Sequence, residues 1–176
     1  AGPGAADLIT MRGHQLLTEA DVIIYAGSLV NPELLQYAKA SCSIYNSASM
    51  TLEEVIEVMI KSEKEDKMTV RLHTGDPSLY GAIREQMDQL DKDNISYDVV
   101  PGVSSFCGAA AALKAEYTLP NVSQSVIITR MAGKTPVPEK EEIALLAAHQ
   151  ATMVIFLSTG MLEQLSQRLL AGGYQT

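Results

Sequence analysis

Apolar runs of strand length alternate with segments of helical period along the whole chain, and this alternation is what most limits the folds open to it. A strand that is apolar throughout must be covered on both faces, which a parallel sheet between helical layers provides. Five runs read as such strands: Asp21 to Gly27 (DVIIYAG), Met68 to His73 (MTVRLH), Tyr97 to Gly102 (YDVVPG), Gln124 to Arg130 (QSVIITR) and Thr152 to Ser158 (TMVIFLS). A shorter one is expected at Ser43 to Ser47. Between them ITMRGHQLLTEA, NPELLQYAKA, TLEEVIEVMIKSEKE, SLYGAIREQMDQLDK and SSFCGAAAALKAE have helical spacing, followed by PEKEEIALLAAHQ and MLEQLSQRLLAGG. Thr51 with Glu54 makes a capping box, and Asn31-Pro32 offers a cap followed by a proline at the first helical position. The expected fold is therefore α/β, two αβα domains with mainly parallel sheet. The weakly charged linker YTLPNVSQS (Tyr117 to Ser125) divides it into 1–119 and a partial 120–176.

Bulk properties narrow the function classes. With 176 residues, 47% apolar and 19% charged, the chain is an ordinary folded domain. No stretch approaches the roughly 18 apolar residues of a membrane span, and the first residues lack a signal-peptide pattern, so a cytoplasmic location is expected. Cys42 and Cys107 make no disulfide framework, and His14, His73 and His149 are scattered singly, so no metal site is expected. A net charge of −8 disfavours nucleic acid, which needs a basic field. It leaves room for an anionic small molecule, because screening confines surface fields to about 10 Å and a few Arg or Lys side chains then suffice.

The two ends carry their own signals. AGPG (Ala1 to Gly4) is a turn of the kind that follows a buried strand, and AGGYQT looks like a helix C-cap leading into a further element. The chain is expected to be an interior portion of a longer protein.

In open parallel sheets ligands bind beyond the carboxyl ends of the strands, so the loops that leave the strands matter most. In HTGDPSLYG (His73 to Gly81), Asp76 is placed to cap the following helix with Pro77 at its first position, and Gly75 permits close backbone approach by a ligand. In VVPGVSSFCGAAAAL (Val99 to Leu113), Ser104 and Ser105 open a helix of very small residues; taken alone this composition favours a helix packed tightly on a sheet over one whose backbone sits close to a bound molecule. AGPG is a third such exit. None of the three is G-x-G-x-x-G, a P-loop lysine is absent, and there is no G-x-S-x-G, so neither nucleotide phosphates nor a serine triad is provided for.

Taken together and in this order, the three loops resemble the tetrapyrrole (corrin/porphyrin) methyltransferase family, whose pattern is G-x-GPG-x-x-x-L-T after the first strand, then GDP with a following glycine, then PGV-S-S. The matching residues are Ala1-Gly2-Pro3-Gly4 with Leu8-Ile9-Thr10, Gly75-Asp76-Pro77 with Gly81, and Pro101-Gly102-Val103-Ser104-Ser105. YAGSLVNPELL (Tyr25 to Leu35) and TRMAGKTPVPE (Thr129 to Glu139) are most similar to the branch that methylates carbon 11 of precorrin-4, with or without cobalt, in cobalamin synthesis. Members acting on uroporphyrinogen often carry an acidic residue where this chain has Ala26.

The resemblance implies an S-adenosylmethionine-dependent methyltransferase with S-adenosylhomocysteine as product. It implies a cofactor cleft between two α/β domains, a small-molecule tetrapyrrole as partner, neither nucleic acid nor membrane, and a homodimer. Cofactor contacts carry over to Pro3, Thr74, Gly75, Asp76, Leu79, Ser104, Ser105 and Leu157, the last equally well explained as a core strand residue. Arg12, Arg130 and Lys134 are candidate anchors for substrate carboxylates, against the alternative of solvated surface charge. Tyr25 and Tyr80 are candidates to stack on the ring, against ordinary packing. Methyl transfer from a sulfonium is an in-line displacement that needs positioning above all, and no catalytic base is assigned. The alternatives are a family member acting on another tetrapyrrole, ribosomal RNA or a protein acceptor, or a non-catalytic cofactor-binding module. The acidic balance speaks against RNA.

Overall fold

Alternate side chains of the strand Val22–Tyr25 (β1) point to opposite faces, and both faces are buried. Ile23 joins Leu17, Ala20, Val30, Leu34 and Leu72 on one side. Val22 and Ile24 join Val55, Ile56, Met59 and Leu90 on the other. One strand thus recruits two helical layers. The helix Met11–Glu19 (α1) covers the first face, and Leu52–Lys64 (α2) with Arg84–Lys92 (α3) covers the second. Each fully buried Ile or Leu contributes about 1.5–3 kcal/mol, so this double-sided burial is what holds the layers together.

The computed structural model describes residues 1–175. It divides into two compact units, Ala1–Ala111 and Ala112–Thr176. In the first, Ser43–Asn46 (β2) and Thr69–Leu72 (β3) flank β1 in parallel, in the order β2-β1-β3. Tyr25 lies opposite both Asn46 and Leu72, so the three strands end level and their exit loops leave one common edge. Asp21 fixes the other edge, accepting from Met68 N at 3.0 Å and from Lys39 Nζ at 2.6 Å. The expected capping box closes α2: Thr51 Oγ1 accepts from Glu54 N (3.2 Å), and Glu54 accepts from Thr51 N (2.7 Å).

The second unit has two parallel strands, Val126–Arg130 (β4) and Thr152–Phe156 (β5), with Arg130 opposite Phe156. Helices Ile143–Ala147 (α5) and Leu162–Ala171 (α6) pack on each other. A further helix, Ser105–Leu113 (α4), follows the Pro101–Gly102 turn and buries none of its residues, so its small side chains do not reflect tight packing on a sheet.

Three expectations differ from the structure. Tyr97–Gly102 forms no strand and joins no ladder; a cavity of about 520 Å³ is lined by Met68–His73 and Ile95–Gly102 among others, so it lies between this segment and β3. Thr69 Oγ1 is buried there without a hydrogen-bond partner. Pro32–Tyr37 winds as a 3-10 rather than an α-helix, with Leu34 its single buried anchor. Asp76 and Pro77 do not open a helix: α3 starts at Arg84, and the chain before it turns through positive φ at Tyr80 (55°) and Ala82 (50°). This tight turn needs glycine at position 81, where a Cβ would fall 2.2 Å from Pro77 O.

Candidate functional site

The three glycine-containing loops meet in the first unit, and they meet through backbone. Gly75 N donates to Gly2 O at 3.1 Å, closing an antiparallel bridge between the first and second loops, and Ala1 N donates to His73 O at 2.7 Å. The second and third loops join through Asp76, whose Oδ2 accepts from Gly102 N at 2.9 Å. The first and third touch where Gly108 of α4 faces Pro3: a Cβ at Gly108 would stand 2.6 Å from Pro3 Cβ.

Gly75 is the pivot. Its φ of +55° is strained for a side-chain-bearing residue, and it lies against the third loop, where a Cβ would be in van der Waals contact with Ser104 Cα at 3.4 Å and Ser105 N at 3.6 Å. Gly102 is needed for space, because its Cβ would overlap Gly75 O at 2.1 Å. Pro3, Thr74, Gly75, Asp76, Ser104 and Ser105 therefore come together on one edge of the sheet.

Asp76 is the one charged residue in these loops. Burial alone would raise its pKa. The hydrogen bonds it accepts from Ser78 Oγ, Gly102 N and Ser78 N (2.8 Å) outweigh that and hold it below the usual carboxylate range. It stays anionic at neutral pH, with both oxygens engaged. His73, buried just before the loop, is pushed down to about 4 by burial first and then by the Arg71 guanidinium, and so stays neutral. Arg71 itself is taken up structurally, donating to Ile24 O (2.9 Å), Ser47 Oγ (3.0 Å) and Gln86 Oε1 (3.2 Å). A loop cluster with one carboxylate, no Lys or Arg, and close-approach glycines suits a cationic or neutral ligand that hydrogen-bonds to backbone, and does not suit a phosphate.

Sequence reasoning missed Asn31, which does more than cap its 3-10 turn. Its Oδ1 accepts from Glu33 N at 3.0 Å while its Nδ2 donates to Gly4 O at 2.9 Å, tying the opening loop to the segment after β1. The Asn-Pro pair signals only the cap; the second bond spans 27 residues and leaves no local trace.

The other singled-out residues of the first unit lie around these loops. Leu79 N closes a turn onto Asp76 O at 3.2 Å, and Tyr80 follows it, 42% exposed. Arg12 on α1 is exposed and pairs with Asp98 at 3.7 Å. Tyr25 ends β1 and packs half-buried against the core.

Leu157, Arg130 and Lys134 belong to the second unit. Leu157 is not a core strand residue: it follows β5 with a φ of +55° and is 69% exposed. A leucine held in that conformation and turned to solvent is strained without any packing return. Arg130 is not a freely solvated charge, because its guanidinium donates to Met131 O (3.2 Å), Thr135 O (3.0 Å) and Pro136 O (2.7 Å). Lys134 is exposed.

Comparison with known proteins bears on the chain as a whole. The pattern that defines the Tetrapyrrole (Corrin/Porphyrin) Methylases matches residues 1–176. A cobalt-precorrin-4 C(11)-methyltransferase of Methanocaldococcus jannaschii is 57% identical over 175 residues, covering 99% of this chain and 68% of that protein. A precorrin-4 C(11)-methyltransferase of Mycobacterium tuberculosis is 44% identical over 176 residues, covering 99% of this chain and 70% of its own length. Among solved structures, the X-ray structure of a cobalamin biosynthetic enzyme, cobalt precorrin-4 methyltransferase, superposes with a TM-score of 0.96 at 44% identity, covering 99% of this chain and 73% of the other.

Proposed function

This chain belongs to the tetrapyrrole (corrin/porphyrin) methylase family, and from that premise we propose that it transfers a methyl group to carbon 11 of precorrin-4, with or without cobalt. The observation that carries the reading is the backbone junction Gly2–Gly75 with Asp76–Gly102, which draws three sequence-distant loops into one rim. S-Adenosylmethionine, the methyl donor, supplies an electrophilic methyl on a sulfonium. The rim fits such a group. Its glycines let the three loops meet closely, it has a single anionic side chain, and the neighbouring His73 carries no competing positive charge.

We assign the donor to Pro3, Thr74, Gly75, Asp76, Leu79, Ser104 and Ser105, with Leu157 from the second unit. Gly75 and Gly102 let the second and third loops close on each other, which builds the rim. Ser104 and Ser105 offer hydroxyls and the first N–H groups of α4. Asp76 holds its loop and adds a favourable field for a cation, at a cost to its own mobility rather than by moving a proton. What these residues contribute is orientation, which for an in-line displacement is the main requirement. Tyr25, Tyr80 and Arg12 are assigned to the tetrapyrrole side.

The same reading makes the protein a cytoplasmic homodimer acting on a small molecule. No described helix is long and apolar enough to cross a membrane.

The test offers the protein a methyl-labelled donor with precorrin-4, cobalt-precorrin-4 or uroporphyrinogen III in separate reactions. Label is expected in one or both of the first two and absent from the third. Transfer confined to uroporphyrinogen III would overturn the assignment.

A further inference from the structure

Arg130 and Lys134 look alike in sequence as cations near one segment, yet the structure gives them different work. Arg130 ends β4, and its three hydrogen bonds reach the carbonyls of residues 131, 135 and 136, so the loop closes around its own guanidinium. Gly133 N adds a bond to Thr135 O at 3.2 Å within the loop. At the base, Met131 is buried and its N–H donates to Ser158 Oγ at 3.1 Å, while that hydroxyl donates to Phe156 O at 2.7 Å. Both strand ends of the unit are thus bonded into one loop. Lys134 stands exposed in the loop, between the carbonyl anchor at 131 and those at 135 and 136.

The electrostatics are one-sided. None of the ion pairs among the described residues involves Arg130 or Lys134. Carbonyl dipoles solvate a guanidinium without cancelling its charge, so the loop carries two uncompensated positive charges in a chain whose net charge is −8. A planar guanidinium with fixed donors can hold three carbonyls at once; an ammonium on a flexible stem cannot reproduce that geometry.

We propose that residues 131–136 form a preformed carboxylate-receiving loop, in which Lys134 contacts an acidic side chain of the tetrapyrrole and Arg130 is a positioning residue that builds the loop. The inference rests on the methyltransferase reading and gives that reading its substrate-side element.

The experiment measures kcat, KM for the tetrapyrrole and Kd for S-adenosylhomocysteine in the whole protein and in Lys134→Ala, Lys134→Arg, Arg130→Lys and the Arg130→Lys/Lys134→Ala double variant. Lys134→Ala is expected to raise KM about tenfold with kcat and Kd unchanged and with a weaker dependence of KM on salt, and Lys134→Arg to restore it. Arg130→Lys keeps the charge but loses the clamp, so KM rises at least as far, and the double variant is no worse than Arg130→Lys alone.

Unchanged KM in Lys134→Ala overturns the proposal, and so do additive effects in the double variant, which would make the two residues independent anchors. Lys134 is exposed, so its variants carry the test even if Arg130→Lys unfolds. A whole protein that binds the homocysteine product but methylates no tetrapyrrole would instead sink the parent reading.

Discussion

Asp76 carries a charge that the first unit uses twice, to close its own turn on Ser78 and to hold Gly102 of the next loop. Because its pKa is depressed in the folded protein, its contribution is present above the unfolded carboxylate value of about 4 and is lost as pH falls through the lower folded value. Asp76→Asn keeps the shape but offers one good acceptor where two were used. It should cost about 1–2 kcal/mol at neutral pH, weaken S-adenosylhomocysteine binding, and flatten the acid side of the stability profile, as read by denaturant unfolding from pH 7 to 3. An unchanged profile would show that the junction is held by backbone alone. Gly75 sharpens the same point. A valine there fills the space a ligand needs, as the sequence indicates, but its φ of +55° makes that substitution a backbone problem before it is a steric one. The glycine was legible; its conformation was not, because φ depends on the bridge to Gly2, 73 residues away in the chain.

Among the elements, the strands were read from sequence where both faces are buried and the run is apolar throughout. β1 shows why: the periodicity that puts Ile23 on one face and Ile24 on the other is the physical cause of both helical layers. β2 obeys the same pairing with every residue exposed, so it is held by ladder bonds rather than by burial. Ile23→Ala should therefore lower unfolding stability by about 2–5 kcal/mol, whereas Ile44→Ala on β2 should cost under about 1 kcal/mol; urea midpoints of the two variants decide it. Equal losses would contradict the two-layer account. Tyr97–Gly102 has the same apolar composition as the strands yet pairs with nothing among the described residues, since pairing depends on a neighbour at ladder distance and a cavity lies there instead. The GDP loop misled for a related reason. Asp-Pro is a sound start signal for a helix, and Asp76 does accept from Ser78 N, but the chain then turns through positive φ at Tyr80 and Ala82, a conformation the Asp-Pro signal does not reveal.

At the scale of the molecule, the loops that carry the chemistry are separated by dozens of residues and become one rim through the Gly2–Gly75 bridge and the Asp76–Gly102 bond, the second of them leaving the end of β3. The motifs in those loops were visible in the sequence, and so was the family they belong to. The bonding among them was not, nor was the separation of Arg130 from Lys134, because each arises from contacts that only the folded chain makes. The account stands or falls on one measurement: incubation of the whole protein with carbon-13 methyl-labelled S-adenosylmethionine and precorrin-4, with and without cobalt, and location of the label by carbon NMR. The account predicts a single new methyl at ring carbon 11. Label at any other carbon, or no transfer by a protein that demonstrably binds S-adenosylhomocysteine, would contradict it.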